Sequence, residues 1–308
     1  LYGIDGQFNF LDDFEISTYA AKTNTKGLPN KDKSYMGNFA YDGDLYGFSS
    51  GYVVVEDNFN PEIGFKRRDN FKQYDGFARF SPRISSSDRI RRLVLLAHTE
   101  SYWSADEGVL ETRAHGVNFT TEFERGDAFA VAINDEFEML TKPFKIAPNT
   151  ILQPGNYDFT SYEISYRWGT QRDFSGRLSY RGGDFWSGTN EAIGFSAGRI
   201  ELSPQLSVEP SYSFNKVKLP EGNFRTELGR VRVTYTISPR MYFSGLMQYN
   251  STESSFSTNF RFRWEWAPGS ELFVVYSDDR DTNPFDRPDS FELRNRGWAI
   301  KFNRLFQI

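Results

Sequence analysis

The sequence contains no cysteine, and this absence excludes a disulfide framework, thiol catalysis and any metal site built on thiolates. Histidine is almost missing as well: His98 and His115 are the two in the chain, too few for a polyhistidine metal site. Long hydrophobic runs are also missing. The longest aliphatic stretch is the short segment 93–97, against the ~20 residues of a membrane-spanning helix. We therefore predict no metal site, no cofactor and no spanning helix.

The charge balance excludes a further class of partner. The net charge of −5 lacks the basic surplus that marks proteins binding nucleic acid, so we expect no nucleic acid partner. What the chain has in abundance is aromatic residues: 30 Phe, 17 Tyr and 6 Trp make up 17% of it. Many aromatic residues in a polar chain are typical of an exposed binding surface or of an outer-membrane barrel, which turns aromatic rings toward lipid. The order of the residues decides between the two.

Apolar and polar residues alternate with a period of two along most of the chain. In the segment 229–237, valine, tyrosine and isoleucine alternate with arginine and threonine, and segments 206–215 and 256–266 repeat this pattern. Side chains of a strand point alternately to its two faces, so these segments are predicted to be two-faced strands. No segment shows the pattern of an amphipathic helix. The chain is therefore predicted to be all-β.

The connections between the predicted strands alternate in length. Tight turns are predicted at 11–13, 41–44, 124–127, 203–205, 238–240 and 267–270, and long loops at 24–33, 57–70, 104–109, 141–158, 182–190, 216–223 and 278–290. Two segments depart from the pattern: 84–92 is longer than its side predicts, and 251–255 is shorter. Short turns on one side and long loops on the other are typical of outer-membrane barrels. We predict a transmembrane antiparallel up-and-down β-barrel of about 16–18 strands, with short periplasmic turns and long external loops.

The two ends of the chain add to this prediction. The segment 297–308 reads as an alternating strand with terminal aromatic residues, which resembles the closing strand of Gram-negative barrels. The first ten residues already read as a strand, without a leader segment. We expect residues 1–308 to form a single barrel domain that is the C-terminal part of a longer chain. Its predicted location is the bacterial outer membrane.

Several segments resemble one bacterial family. They are Asn-Phe-Asn-Pro-Glu-Ile-Gly-Phe-Lys-Arg-Arg at 58–68, Pro-Phe-Lys-Ile-Ala-Pro at 143–148, Pro-Gly-Asn-Tyr at 154–157, Leu-Pro-Glu-Gly-Asn-Phe at 219–224 and, most specifically, residues 248–276. Together they resemble the C-terminal barrel region of an uncharacterised outer-membrane family. Full-length members carry a signal peptide and a domain resembling family-nine carbohydrate-binding modules before the barrel. The resemblance implies an architecture and supplies no catalytic residues.

The polar positions of the clear strands give the candidate site residues. The predicted lumen-lining residues are Arg177, Arg181, Glu209, Arg230, Arg232, Arg261, Arg263 and Glu265, and the predicted aromatic girdle is Trp264, Trp266, Trp298, Phe302 and Phe306. The arginines fit two roles: ion pairs that stiffen the wall, or a path that favours anionic solutes. The acidic loop 278–289 lacks the ligand spacing of a calcium site, so a solvated loop is the simpler interpretation.

These features favour a passive function, a pore or a membrane scaffold, for sugar-containing or anionic solutes. Expected partners are outer-membrane lipid and lipopolysaccharide, the barrel-assembly machinery and a periplasmic or surface protein. Two alternatives keep the barrel: a subunit of a larger secretion or surface complex, and an outer-membrane hydrolase with a rim site that includes His98 or His115. No catalytic motif is present, so no catalytic residue is predicted. A soluble all-β binding protein is a third alternative.

Overall fold

The computed structural model describes residues 1–62, 64, 66, 68–283 and 291–306. It is all-β, as predicted, with nineteen strands in the described part of the chain. The first eight are β1 (Tyr2–Phe10), β2 (Phe14–Lys22), β3 (Lys33–Asp42), β4 (Tyr46–Val55), β5 (Phe71–Phe80), β6 (Ile90–Ser104), β7 (Leu110–Phe123) and β8 (Ala128–Leu140). A short hairpin follows, β9 (Phe144–Ala147) and β10 (Thr150–Leu152).

The remaining strands complete the large sheet. They are β11 (Gly155–Trp168), β12 (Phe174–Phe185), β13 (Gly188–Ser203), β14 (Leu206–Leu219), β15 (Gly222–Ser238), β16 (Met241–Asn250), β17 (Ser255–Ala267), β18 (Ser270–Asp281) and β19 (Glu292–Asn303). Among the described residues, no helix is long and apolar enough to cross a membrane.

Seventeen of these strands form one antiparallel up-and-down sheet. Each strand pairs with the next along the chain from β1 to β8, β8 pairs with β11 across the β9–β10 hairpin, and the order continues to β19. The predicted strand number and the meander are therefore confirmed. In the described ladders, β1 pairs with β2 and β19 pairs with β18, so each end strand keeps one free edge.

The most exposed apolar side chains of the sheet lie on its two end strands. Ile4 on β1 is 76% exposed and Ile300 on β19 is 72% exposed, against 55% for Ile133 on β8, within the sheet. The missing neighbour on one side explains this difference. Because β1 and β19 are the first and seventeenth strands of an antiparallel series, they run in the same direction.

The sheet is a single layer with little core. The accessible surface of the chain is 19996 Å², whereas a compact monomer of this size exposes about 13,000 Å². Buried apolar residues gather mainly at one end, where Leu152, Val217 and Leu219 pack together. The sheet therefore leaves both of its faces largely uncovered.

Two predicted long loops are wrong. Residues 182–190 and 216–223 continue the strands instead, so that β12–β13 and β14–β15 are joined by two-residue turns at 186–187 and 220–221. These strand ends extend because Phe185, Val217 and Leu219 pack in the small apolar cluster at this end of the sheet. The long connections after β2, β4 and β8 are present. Of the predicted long loop 278–290, residues 278–281 belong to β18 instead, and residues 284–290 lie outside the described residues.

Candidate functional site

The strand registers divide the side chains of the sheet into two faces. Residues directly opposite each other on neighbouring strands share a face, so the alternation of one strand fixes that of the next. Trp264 lies opposite Met241 and Leu272, and this face continues across the sheet to Tyr235 and Ile133. We call it the apolar face. The other face carries Arg232 and the residues in register with it, and we call it the polar face.

The apolar face carries exposed large hydrophobic residues on every strand of the sheet except β18. Aromatic rings cluster on it beside the short turns: Phe14 contacts Tyr41, and Phe174 stacks on Phe195 with ring centroids 5.8 Å apart. Toward the opposite end, the same face becomes charged. There Arg113 forms an ion pair with Asp135, with Nη2 and Oδ1 2.9 Å apart. The apolar surface is thus a band, bounded by charged residues on the side of the long loops.

The predicted girdle residues Trp264, Trp266, Trp298 and Phe302 all lie on the apolar face. Trp266 stacks on Phe302, with ring centroids 4.9 Å apart. Phe306 follows the end of β19 and is exposed. The prediction of a strand over 297–308 is wrong in its bounds, because β19 runs from Glu292 to Asn303, and residues 307–308 lie outside the described residues.

All eight predicted lumen-lining residues lie on the polar face, which the cross-strand registers establish. They are Arg177, Arg181, Glu209, Arg230, Arg232, Arg261, Arg263 and Glu265. The structure thus places these eight residues on one face of the sheet. That this face lines a lumen is a prediction.

Some of these residues form ion pairs across the strands. Arg177 and Arg181 both bind Glu163 on the neighbouring strand, at 2.5 and 2.8 Å. Arg263 binds Glu271 at 2.8 Å and lies 3.7 Å from Glu265. Glu163 is not among the residues predicted from the sequence. Its position between Tyr162 and Ile164 would have assigned it to the polar face by the same alternation.

The long loop after β4 folds over the polar face. Phe59 is buried there, and the Asn60 N–H donates to Thr23 Oγ1 at 3.1 Å. Loop residues and polar-face residues of β2–β6, Tyr19 and Tyr102 among them, enclose a cavity of about 630 Å³. The guanidinium of Arg68 lies 4.6 Å from the centre of the Tyr102 ring. This size is within the range of about 300–1,000 Å³ that is usual for small-molecule sites.

The loop after β8 also folds toward the polar face, through the β9–β10 hairpin. Leu152 of β10 is completely buried against Val217 and Leu219, which occupy alternate positions of β14 on that face. Trp186 packs against this cluster beside Tyr157. Two of the long loops thus cover parts of the polar face at the same end of the sheet.

The two histidines lie on opposite faces of the sheet. His98 lies on the polar face opposite Gly116, where a Cβ atom would come within 2.1 Å of the imidazole. His115 lies on the apolar face, with Nδ1 2.8 Å from Thr99 Oγ1 and Asp135 directly opposite on β8. The two imidazoles therefore belong to separate environments. In the described part of the chain, no group of three His, Asp or Glu side chains is arranged to hold a metal ion.

No protein-family model matches this chain, and no curated protein matches it. The features that bear on function are therefore those of the molecule: a single-layer antiparallel sheet, one aromatic apolar face, and one polar face partly covered by loops.

Proposed function

We propose that this chain forms the wall of a bacterial outer-membrane β-barrel, which acts as a pore or a membrane scaffold. The apolar face contacts lipid and lipopolysaccharide, and the polar face lines the lumen. The observation that carries the proposal is the uncovered apolar face, which extends across a sheet of seventeen strands without a second layer to bury it. Water is a poor solvent for such a surface, whereas the hydrocarbon of a bilayer is a good one.

Strand length and residue placement support the same proposal. Strands of the sheet contain between 9 and 17 residues, and about 9–11 residues are enough to cross the hydrocarbon. The aromatic rings beside the short turns match a belt at the membrane–water interface, and the charged row of Arg113 and Asp135 marks the other boundary. In this orientation the long loops are external and the short turns periplasmic.

A spanning sheet must also leave no backbone group unpaired in the hydrocarbon. β1 and β19 each have a free edge and run in the same direction. Closure in which every pair is antiparallel therefore requires an odd number of additional strands between them. Assembly by the barrel machinery is the step at which we expect this seam to close.

The proposed function is tested by reconstituting the purified chain into planar bilayers with KCl on both sides. We expect steady conductance steps of large amplitude, and a shift of electrophoretic mobility on heating in detergent. Insertion without current would identify a scaffold or a barrel that its inward loops plug. In that case, transport of sugar-containing or anionic solutes would no longer be a candidate function. A chain that is monodisperse without detergent and does not insert would contradict the membrane proposal and favour a soluble binding protein.

A rim hydrolase is the second candidate function, and the contact between Thr99 and His115 is the observation that favours it. This pair supplies a hydroxyl and an imidazole at the boundary of the apolar band. The carboxylate of Asp135, however, binds Arg113 and accepts a hydrogen bond from Thr160. A hydrolytic activity that is found on any lipid or ester substrate and lost in His115→Ala, but kept in His98→Ala, would establish this function. Equal activity in both variants would dismiss it.

A further inference from the structure

The arginines predicted to line the lumen fall into two groups. Arg177, Arg181 and Arg263 form ion pairs with glutamates of neighbouring strands. Arg230, Arg232 and Arg261 are exposed, and among the described side chains none of the three has an ion-pair partner. No glutamate neutralises the charge of the second group, so these arginines do not stabilise the wall through ion pairs as the first group does.

The register brings the unpaired arginines close together. Arg232 lies opposite Glu209 on β14, yet no ion pair forms between them. Arg230 shares β15 with Arg232 and lies opposite Ser211. Arg261 lies two strands away, and its Nε donates to Asn259 Oδ1 at 2.8 Å. Asn259 is level with Arg232 across β16, so this hydrogen bond turns the guanidinium of Arg261 toward Arg232.

Two adjoining cavities connect these side chains. One, of about 280 Å³, is lined by Arg232, Arg261 and Asn259, and the other, of about 250 Å³, by Arg230, Arg232 and Ser211. Arg232 and Glu209 border both. We call the two cavities together the arginine groove. It is lined by three unpaired guanidinium ions, by that of Arg199, which pairs with Glu201, and by the carboxylate of Glu209. Its local charge is therefore positive although the whole chain is negative.

We propose that the arginine groove is a binding site for the oxyanion group of a small solute, a phosphate or a carboxylate. The guanidinium group is planar and offers parallel N–H donors that match two oxygens of such an anion. Asn259, Ser211 and Ser244 add neutral hydrogen-bonding groups to the same surface. The inference rests on the proposed function, since it assigns a solute class to the face that would line the lumen.

The larger cavity under the loop after β4 does not have this character. Its two cations already have partners: Lys66 pairs with Asp69, and Arg68 lies 3.7 Å from Glu111 and donates to Thr112 Oγ1. Their charge is therefore neutralised within the protein. The arginine groove offers positive charge that remains available to a ligand, and on this ground it is the anion site of the polar face.

The test is calorimetric titration of the folded chain in detergent with inorganic phosphate and, separately, with acetate. The site variant is Arg230→Gln/Arg232→Gln/Arg261→Gln. The matched control is Arg125→Gln/Arg225→Gln/Arg240→Gln, which removes the same charge from two turns and from the beginning of β15. Heat-modifiable mobility verifies that each variant is folded, and Arg232→Gln alone replaces the triple variant if the latter does not fold.

We expect at least one of the two anions to bind the parent chain and the control, and the site variant to bind about tenfold more weakly, a loss of about 1.4 kcal/mol. Whichever anion binds identifies the oxyanion. No binding to the folded parent, or equal binding by the site variant, would overturn the inference. Titration in detergent does not require a pore, so its result is independent of the conductance experiment. A chain that conducts but binds no anion would support the proposed pore and contradict the proposed anion site. A chain that binds an anion but does not conduct would support the site and contradict the pore.

Discussion

Arg172 and Asp127 join two neighbouring short turns, although they are 45 positions apart in the chain. The guanidinium Nη2 lies 2.6 Å from Asp127 Oδ2, and Nε lies 3.0 Å from Oδ1. Oδ1 also accepts the Gly169 N–H at 2.8 Å, and Oδ2 accepts the Tyr166 hydroxyl at 2.9 Å. A single buried carboxylate thus organises the turn after β7 and the turn after β11.

The first prediction concerns the pH dependence of this cluster. Burial by itself would raise the pKa of the Asp127 carboxyl, but Gly169, Arg172 and Tyr166 together hold that pKa below its ordinary value of 3.8. A carboxyl group whose pKa is lowered by folding stabilises the fold at pH values above its ordinary pKa. This stabilisation is lost as the pH falls through the pKa of the folded state. Asp127→Asn should lower the free energy of unfolding near neutral pH by about 2 kcal/mol.

The measurement is the temperature at which the heat-modifiable mobility is lost, taken at several pH values. The parent should lose stability below about pH 4 more steeply than Asp127→Asn. Asp44→Asn is the control. Asp44 also pairs with an arginine, Arg83, but both side chains are more than half exposed, so this pair should contribute little to stability. Equal pH profiles for the parent and Asp127→Asn would refute the assigned role.

The second prediction uses two adjacent residues that point to opposite faces. Val117 lies on the apolar face and Asn118 on the polar face of β7. If the apolar face contacts lipid, Val117→Arg should disfavour folding into vesicles by about 2–4 kcal/mol, the cost of arginine near the middle of a bilayer. Asn118→Arg should fold almost as the parent does. Urea titration of vesicle-bound protein measures the difference, and equal costs for the two variants would contradict the assignment of the faces.

Alternation in the sequence predicts this division well, because the period of two is a property of every strand and needs no tertiary information. For that reason, Arg177, Glu209 and Arg263 all fall on the face expected for them. Which of them forms ion pairs is not predictable in this way. The partner of Arg177 is Glu163, and this pairing depends on the register between two strands.

The ends of strands are predicted less well than their centres. The segments at 182–190 and 216–223 contain glycine, proline and charged residues, which locally favour a loop. In the structure these segments mostly extend the strands, because Phe185, Val217 and Leu219 pack with Leu152. Leu152 belongs to the β9–β10 hairpin, which is distant from all three residues in the sequence. The folding of the loop after β4 over the polar face depends on similar distant contacts, such as that of Asn60 with Thr23.

The third prediction concerns the free edges of β1 and β19. The chain has no cysteine, so any disulfide within a variant must join the two cysteines introduced into it. Phe8→Cys combined in turn with Trp298→Cys, Ile300→Cys or Phe302→Cys should give no disulfide, because β1 and β19 have no ladder between them. Phe8→Cys/Ile16→Cys is the positive control, since these residues are directly opposite on β1 and β2. An efficient disulfide in any of the three edge pairs would show that the sheet closes directly on itself.

The fourth prediction concerns the aromatic contact between Trp266 and Phe302, which links β17 to β19 across β18. The two rings are nearly parallel, at 22°, and such pairs contribute about 0.5–1.5 kcal/mol beyond the area they bury. In a double-mutant cycle with Trp266→Ala and Phe302→Ala, we expect a coupling of about 1 kcal/mol in the free energy of unfolding in vesicles. The cycle of Trp266→Ala with Trp298→Ala is the control, with a coupling near zero expected. Equal coupling in the two cycles would mean that the interface belt stabilises the sheet through lipid contact and not through the stacking of these rings.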